Sequence, residues 1–327
     1  MISKKILWTC CSLLTLLGLI DFFSFSTVDT SVELHRENEV IFRVKGFEYD
    51  HNINFCGEKV PLHSQDIFER LDREVLKNAY WHSEIILFYK RLGKYWPDIE
   101  PIFKKYKIPK DFIYLLMIES GFDNLTSPAG AAGFWQIMEK TGQDYGLEIT
   151  PELDERYNVE KATEAACKYL KQAYTKFGSW TAVAASYNMG MGGLQKRMNL
   201  QTSNNVYDLL LNTETSRYIF RIIAVKEIIE KPEKFGYNLK PKDQYKPIKS
   251  KKIEIKETTN LYELAKKEGV NYKIIRILNP WIRSEKLIAK PGKTYYVEIP
   301  TENFYVFKSS GDTSIINEFI DTTKFSD

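Results

Sequence analysis

The segment Ile113 to Met138, IYLLMIESGFDNLTSPAGAAGFWQIM, constrains this chain more than any other. It predicts an apolar helix that carries one acid, Glu119, to its end, where Gly121 follows. A small-residue turn comes next (Ser127, Pro128, Ala129, Gly130, Ala131, Ala132, Gly133), then Trp135 and Gln136. Burial against apolar side chains disfavours an ionised carboxyl. The partial negative charge of a helix C-terminus acts in the same direction. Both raise a glutamate's pKa, as an acid that donates a proton near neutral pH requires. The bland alternative is a surface glutamate at a fraying helix end.

The chain has 327 residues, enough for one sizeable domain and a smaller one. A net charge of +3 gives no argument for a nucleic-acid partner. Lys4 and Lys5 precede an uncharged, mostly apolar run from Ile6 to Ile20. Residues 1–26 therefore read as a signal peptide or a retained N-terminal anchor, and the remainder as exported to the periplasm or cell envelope. Cys10 and Cys11 fall inside that run, in the wrong context for a lipoprotein cysteine. Cys167 lies in the apolar phase of a helix, so no bridge to Cys56 is expected. His35, His51, His63 and His82 show no ligand spacing, and neither a metal nor another cofactor is predicted.

Residues 27–64 read as a lead-in segment with a short strand-like run at Val40–Val44. Residues 65–237 turn helical. Phe68, Leu71, Val75 and Leu76 recur at helical spacing, and Ile85, Ile86, Phe88 and Tyr89 continue on a second helix. Pro109 predicts the first turn of the helix leading to Glu119. A helix from Val159 stops at Gly178, an Ala-rich helix spans Thr181 to Tyr187, and Ile219, Ile222, Ile223, Val225 and Ile228 form a last apolar stripe. Gly190, Gly192 and Gly193 lack the strand and the Lys-Ser/Thr pair of a phosphate loop. Residues 238–252 read as a solvated Lys/Pro linker, or as a cationic stripe for anionic surfaces. Residues 253–300 read strand, helix, helix, strand, and 301–327 a tail or a partial repeat of that unit. The fold class is mainly α with a small βααβ appendage.

E-S-G-F at Glu119–Phe122 and S-P-A-G-A-A-G-F-W-Q-I-M at Ser127–Met138 resemble the signature of lytic transglycosylases, lysozyme-like enzymes that cleave bacterial peptidoglycan. Ala185 to Gly190 (ASYNMG) resembles the family's A-Y-N-x-G motif, with Ser186 where Ala is usual, and Glu214 to Tyr218 (ETSRY) its E-T-x-x-Y motif. The resemblance covers roughly residues 65–235 and is closest to the membrane-bound murein transglycosylase D type, which carries wall-binding LysM repeats. Residues 253–300 resemble one LysM module, with Thr258-Thr259-Asn260 in place of the usual Gly-Asp-Thr entry. A purely structural βααβ unit is the other reading of it.

Glycoside cleavage usually needs two carboxylates, and this chain offers one convincing acid. Asp123 falls beyond Gly121 in a turn, and Asp144 and Asp154 sit in polar segments. The resemblance implies a reaction needing only Glu119, which protonates the glycosidic oxygen and then deprotonates the muramic C6 hydroxyl, giving a 1,6-anhydro sugar without water. It also implies substrate-binding roles for Ser127, Gln136, Met138, Tyr187, Asn188, Glu214 and Tyr218, with glycan strands as the partner and the envelope as the N-terminus's surroundings. Core aromatics at Tyr187 and Tyr218, a plain helix-end charge at Glu214 and simple packing at Met138 are the competing readings. Trp135 is assigned to the core. A hydrolytic muramidase and an inactive wall-binding scaffold stay open as alternative functions.

Overall fold

The computed structural model describes residues 52–301. The expected signal or anchor, the Val40–Val44 run, Cys10, Cys11, His35, His51 and all but the first residue of the 301–327 tail lie outside the described residues.

Two short strands, β1 (Asn54–Phe55) and β2 (Glu58–Lys59), pair antiparallel around Cys56 and Gly57, both at positive φ. The hairpin drives Phe55 edge-on into Phe112, with ring centroids 5.3 Å apart. α1 (Gln65–Ala79) buries Ile67, Leu71, Val75 and Ala79, a four-residue repeat along one face. Phe68, expected on that stripe, lies beside it and is 40% exposed. α2 (His82–Tyr106) runs through Pro97 and Pro101, neither of which can donate a backbone hydrogen bond. Ile86 on it faces solvent, while Ile85 and Phe88 are buried.

α3 (Phe112–Ser120) is apolar all round and buried, the pattern of a central helix. It begins later than the sequence predicts: Pro109 stands in a tight turn before it, whose carbonyl accepts Phe112 N–H at 3.2 Å. Asp111 is the reason. Its carboxylate does not cap its own helix, because it accepts Cys56 N–H at 2.7 Å and the buried Lys226 ammonium at 2.6 Å. That ion pair ties the hairpin, the entrance of α3 and a later helix at one point.

After the short α4 (Glu139–Asp144) come α5 (Val159–Phe177), capped by Asn158 and stopped by Gly178, and α6 (Trp180–Met189). Glu58 accepts from Trp180 N–H, Thr181 N–H and both the Ser179 and Thr181 hydroxyls, at 2.5 to 2.9 Å. A carboxylate there satisfies orphan donors at a helix N-terminus and meets its positive end. α7 (Met191–Gln201) was not legible behind Gly190, Gly192 and Gly193; Leu194 and Met198 bury it against α6. α8 (Thr213–Glu230), capped by Asn212, packs on α1, α3 and α6.

The C-terminal unit pairs β3 (Ser250–Ile255) with β6 (Tyr295–Pro300) antiparallel, Ser250 opposite Pro300 and Ile255 opposite Tyr295. Between them lie α9 (Leu261–Glu268) and α10 (Tyr272–Leu278), with β4 (Thr259–Asn260) and β5 (Lys286–Leu287) as a minimal second ladder. Asn260, at the substituted entry, caps α9 by accepting Tyr262 N–H at 2.8 Å. The stretch 238–252 is less free than a solvated linker. Tyr245 N–H bonds Lys90 O at 2.8 Å, Lys90 Nζ bonds Asp243 O at 3.1 Å, and the last residues already belong to β3.

This unit is seated on the helical body. Glu148, 8% exposed, forms an ion pair with Lys290 at 2.8 Å and accepts from the Tyr295 hydroxyl at 3.1 Å and from the Lys293 ammonium. Burial pushes its carboxyl up, but Lys290, Lys293 and the Tyr295 hydroxyl outweigh that and hold it at about 2. Leu153 and Ile282 form an antiparallel bridge, and Leu153, Tyr157 and Ala132 belong to the same apolar cluster as Trp281 and Ile282.

Candidate active site

Glu119 occupies the last turn of α3, which closes at Gly121 with φ 59° and its N–H on Met117 O at 2.8 Å. A Cβ at Gly121 would meet the Phe88 ring at 2.9 Å and Glu84 Oε1 at 3.0 Å, so both conformation and space demand glycine. Phe122 also takes a positive φ, and its ring packs between Tyr95 and Phe134. Ser120 Oγ donates to Phe134 O at 2.7 Å. The chain thus turns sharply away and leaves Glu119 at the rim of the core, enclosed on most sides yet partly open to solvent.

Burial is the largest influence on the Glu119 carboxyl and raises it from its ordinary 4.5 to about 7. The Tyr218 hydroxyl donates to Glu119 Oε1 and, with the Arg221 charge, lowers it; Glu214 raises it again. Tyr218 is buried on α8 one turn beyond Glu214, so a single helix face presents both.

Asn188, at the end of α6, links the two sides. Its Nδ2 donates to Glu214 Oε1 at 2.9 Å and its Oδ1 accepts the Thr215 hydroxyl at 2.7 Å, which fixes the orientation of the amide. Tyr187 donates to Trp135 O at 2.7 Å and packs edge-on against Tyr169 at 5.4 Å. Burial first, then the Glu119 charge, holds its phenol well above the usual tyrosine range. Ser186 is buried, with its hydroxyl on Val183 O.

The small-residue turn closes on itself. Ser127 Oγ accepts Ala131 N–H at 3.0 Å, and its own bonding runs to the turn rather than to Glu119. Ala132 and Ile137 exchange both backbone bonds at 3.1 Å. Gln136, at φ 46°, donates its amide to Gly133 O and Leu125 O. Gln136 and Met138 line a cavity of about 200 Å³ with Tyr145, Tyr169, Tyr187 and Asn188; Met138 is 46% exposed. Trp135 is fully buried, with its indole N–H on Thr163 Oγ1 at 2.9 Å.

One helix, α8, thus carries a member of each of two bonded pairs, Glu119–Tyr218 and Asn188–Glu214; Tyr187, Gln136 and Met138 line the cavity that Asn188 borders, and Ser127 stays within its own turn. The other acids considered have partners of their own: Asp123 pairs with Arg91 at 2.8 Å, Asp144 with Lys140 at 3.0 Å, and Asp154, buried, with Arg156 at 2.7 Å. Sequence reading passed over Thr215, Arg221 and Tyr169. The first two were readable, since Thr215 adjoins Glu214 and Arg221 lies one helical turn beyond Tyr218. Among the described residues no group of three or more His, Cys, Asp or Glu could hold a metal ion, and no helix is long and apolar enough to cross a membrane.

Residues 99–209 match the Transglycosylase SLT domain family, and residues 251–303 match the Soluble lytic transglycosylase C-terminal LysM-like domain. The chain thus carries an SLT-type transglycosylase domain followed by a LysM-like domain. It is 26% identical over 257 residues to the membrane-bound lytic murein transglycosylase D of Escherichia coli (strain K12), covering 76% of this chain and 55% of that protein. It is 30% identical over 132 residues to the membrane-bound lytic murein transglycosylase F of Salmonella typhi, covering 36% of this chain and 26% of the other. Among solved structures, the 70 kDa soluble lytic transglycosylase of Escherichia coli matches at 18% identity and a TM-score of 0.37, over 57% of this chain and 39% of that one. The chain spans about half the length of the D-type relative. The SLT match ends before α8, which supplies Glu214 and Tyr218.

Proposed function

We propose that this chain is a peptidoglycan lytic transglycosylase acting on the β-1,4 bond between N-acetylmuramic acid and N-acetylglucosamine, with Glu119 as its single acid and base. The observation that carries the reading is a carboxyl held at about 7 by burial, with one oxygen gripped by Tyr218. Near neutral pH such a group exists in both protonation states, as a residue that gives and then takes a proton must.

Protonated Glu119 gives its proton to the glycosidic oxygen, and the bond to the muramic C1 breaks. The N-acetylglucosamine side leaves as an alcohol. The muramic acetamide stabilises the positive charge at C1 in the interval. The C6 hydroxyl then attacks C1 as Glu119, now a carboxylate, removes its proton. A 1,6-anhydro ring forms, Glu119 is restored, and no water is consumed. Tyr218, by donating to the carboxylate, stabilises the intermediate stage. Asn188 and Glu214 orient the sugar opposite Glu119, Tyr187 braces that wall, and Gln136 and Met138 line the groove. Ser127 keeps its hydroxyl proton to give to a substrate acetamide. An N-terminal signal or anchor and delivery to the cell envelope accompany this reading, as does wall binding by the LysM-like unit.

Purified peptidoglycan digested by the wild-type chain and by Glu119→Gln, followed by mass spectrometry, tests it. Wild type should release muropeptides lighter by one water than hydrolysis products, and Glu119→Gln none. Reducing-end muramic acid, or clearing that survives Glu119→Gln, would overturn the reading.

A further inference from the structure

The turn that presents Gln136 is held from outside by one guanidinium. Arg156 NH1 donates to Gly130 O at 2.8 Å and to Ile137 O at 3.2 Å, one near each end of the turn. Its Nε and NH2 fork onto the Asp154 carboxylate at 2.9 and 2.7 Å, and both side chains are about nine-tenths buried. The two backbones also touch: a Cβ at Gly133, φ 74°, would lie 1.9 Å from Arg156 O. The neighbouring Tyr157 makes a second tie, its hydroxyl 2.5 Å from Thr126 Oγ1.

Both ties are anchored by the LysM-like unit. Asp154 N–H donates to Trp281 O at 2.8 Å, and Arg283 N–H to Glu152 O at 2.7 Å, so residues 281–283 lie along 152–154 as a short ladder. The Arg283 guanidinium sits 4.5 Å above the Tyr157 ring. We propose that the LysM-like unit is a positioning part of the catalytic groove: by pairing with residues 152–154 it sets Asp154 and Arg156, and Arg156 holds the Gly130–Ile137 turn in place. Arg156 is a positioning residue, reaching no reacting group itself. The inference rests on the groove being where the glycan is cut, and it gives the C-terminal unit a role separate from wall binding. Lysine could not replace Arg156, since a single ammonium cannot grip a carboxylate with one edge and two carbonyls with another.

The test uses the full chain and the variants Arg156→Lys, Arg283→Ala and their combination. Two readouts are taken: hydrogen exchange across residues 127–138, and kcat and KM on a soluble glycan too short to reach the LysM-like unit. Arg156→Lys should speed exchange at Ala132, Gly133 and Ile137 while α3 stays protected, and should lower kcat roughly tenfold to a hundredfold with KM little changed. Arg283→Ala, an exposed side chain, should produce a smaller rise at the same amides. The double variant should loosen the turn further than Arg156→Lys alone, because the Arg283 side chain acts through Tyr157 and Thr126, a tie separate from the Arg156 guanidinium. Arg283→Ala with wild-type exchange in the turn, or with weakened binding to insoluble walls as its one effect, overturns the proposal. Should Arg156→Lys fail to fold, Arg283→Ala decides alone. Should the wild type prove inactive on glycans, the functional reading falls while the exchange data still decide the coupling.

Discussion

In the proposed reaction Glu119 has to keep its proton until a sugar arrives and then part with it, and its surroundings act on it in opposing directions. Burial and Glu214 raise its pKa; Tyr218 and Arg221 restrain it. The alkaline limb of kcat/KM should therefore fall with an apparent pKa of about 7. Tyr218→Phe removes a hydrogen bond that favours the ionised form, so the limb should move to higher pH while the maximum rate drops. A pH profile of both proteins on a soluble glycan checks this, and a limb that moves down would contradict the assignment. The same raised pKa costs stability at higher pH: the penalty is absent below pH 4.5, where folded and unfolded chains are both protonated, and is complete once pH has risen past about 7. Glu214 is the acid nearest in influence. Glu214→Gln should keep the anhydro product and lose less than the roughly hundredfold or more in kcat/KM that a general acid or base supplies. Loss as complete as in Glu119→Gln would make Glu214 a second catalytic carboxylate. At this scale the sequence was most legible, because an acid before Gly121 in an apolar helix carries its environment with it. Ser127 was less so: its hydroxyl turned inward to Ala131, a bond that only the closed turn reveals.

Helix α5 follows its apolar periodicity, and the C-terminal ends of α3 and α5 were readable from Gly121 and Gly178. The failures have local causes. α7 hid behind three glycines, since Gly lowers helix propensity and what holds this helix is packing of Leu194 and Met198. The start of α3 was misplaced because Asp111 serves Lys226 and Cys56, partners far away in sequence. That pair supplies a prediction for the element scale. Asp111→Ala would strand the Lys226 ammonium, 5% exposed, without its counter-ion. Removing one member of a buried pair costs about 3–5 kcal/mol. Urea unfolding should show a midpoint lowered accordingly, and Asp111→Ala with Lys226→Met should recover much of the loss. A single variant as stable as wild type would show that the pair contributes nothing.

At the scale of the whole molecule, how the helical body and the C-terminal unit meet was not legible in the residues. Nothing in the spacing of Glu148, Lys290, Lys293 and Tyr295 announces a shared site, because the contact joins segments far apart in the chain. Glu148 makes that seam sensitive to acid. Its folded pKa, about 2, lies below its ordinary 4.5, so its contribution is complete above pH 4.5 and vanishes as pH falls through about 2. Protection at residues 281–295, taken relative to the intrinsic exchange rate at each pH, should fall on acidification in that window, and Glu148→Gln should show the lowered protection already at neutral pH. Unchanged exchange in Glu148→Gln would remove this acid from the seam.

The grip of Glu58 on the start of α6 bears on where this chain can be cut. The helix that carries Tyr187 and Asn188 is fastened by a carboxylate from a hairpin well upstream of residues 99–209, the stretch that matches the SLT family. A fragment trimmed to that stretch would leave the first amides of α6 facing water and loosen one wall of the groove. A minimal piece meant to keep this groove intact should begin ahead of Asn54.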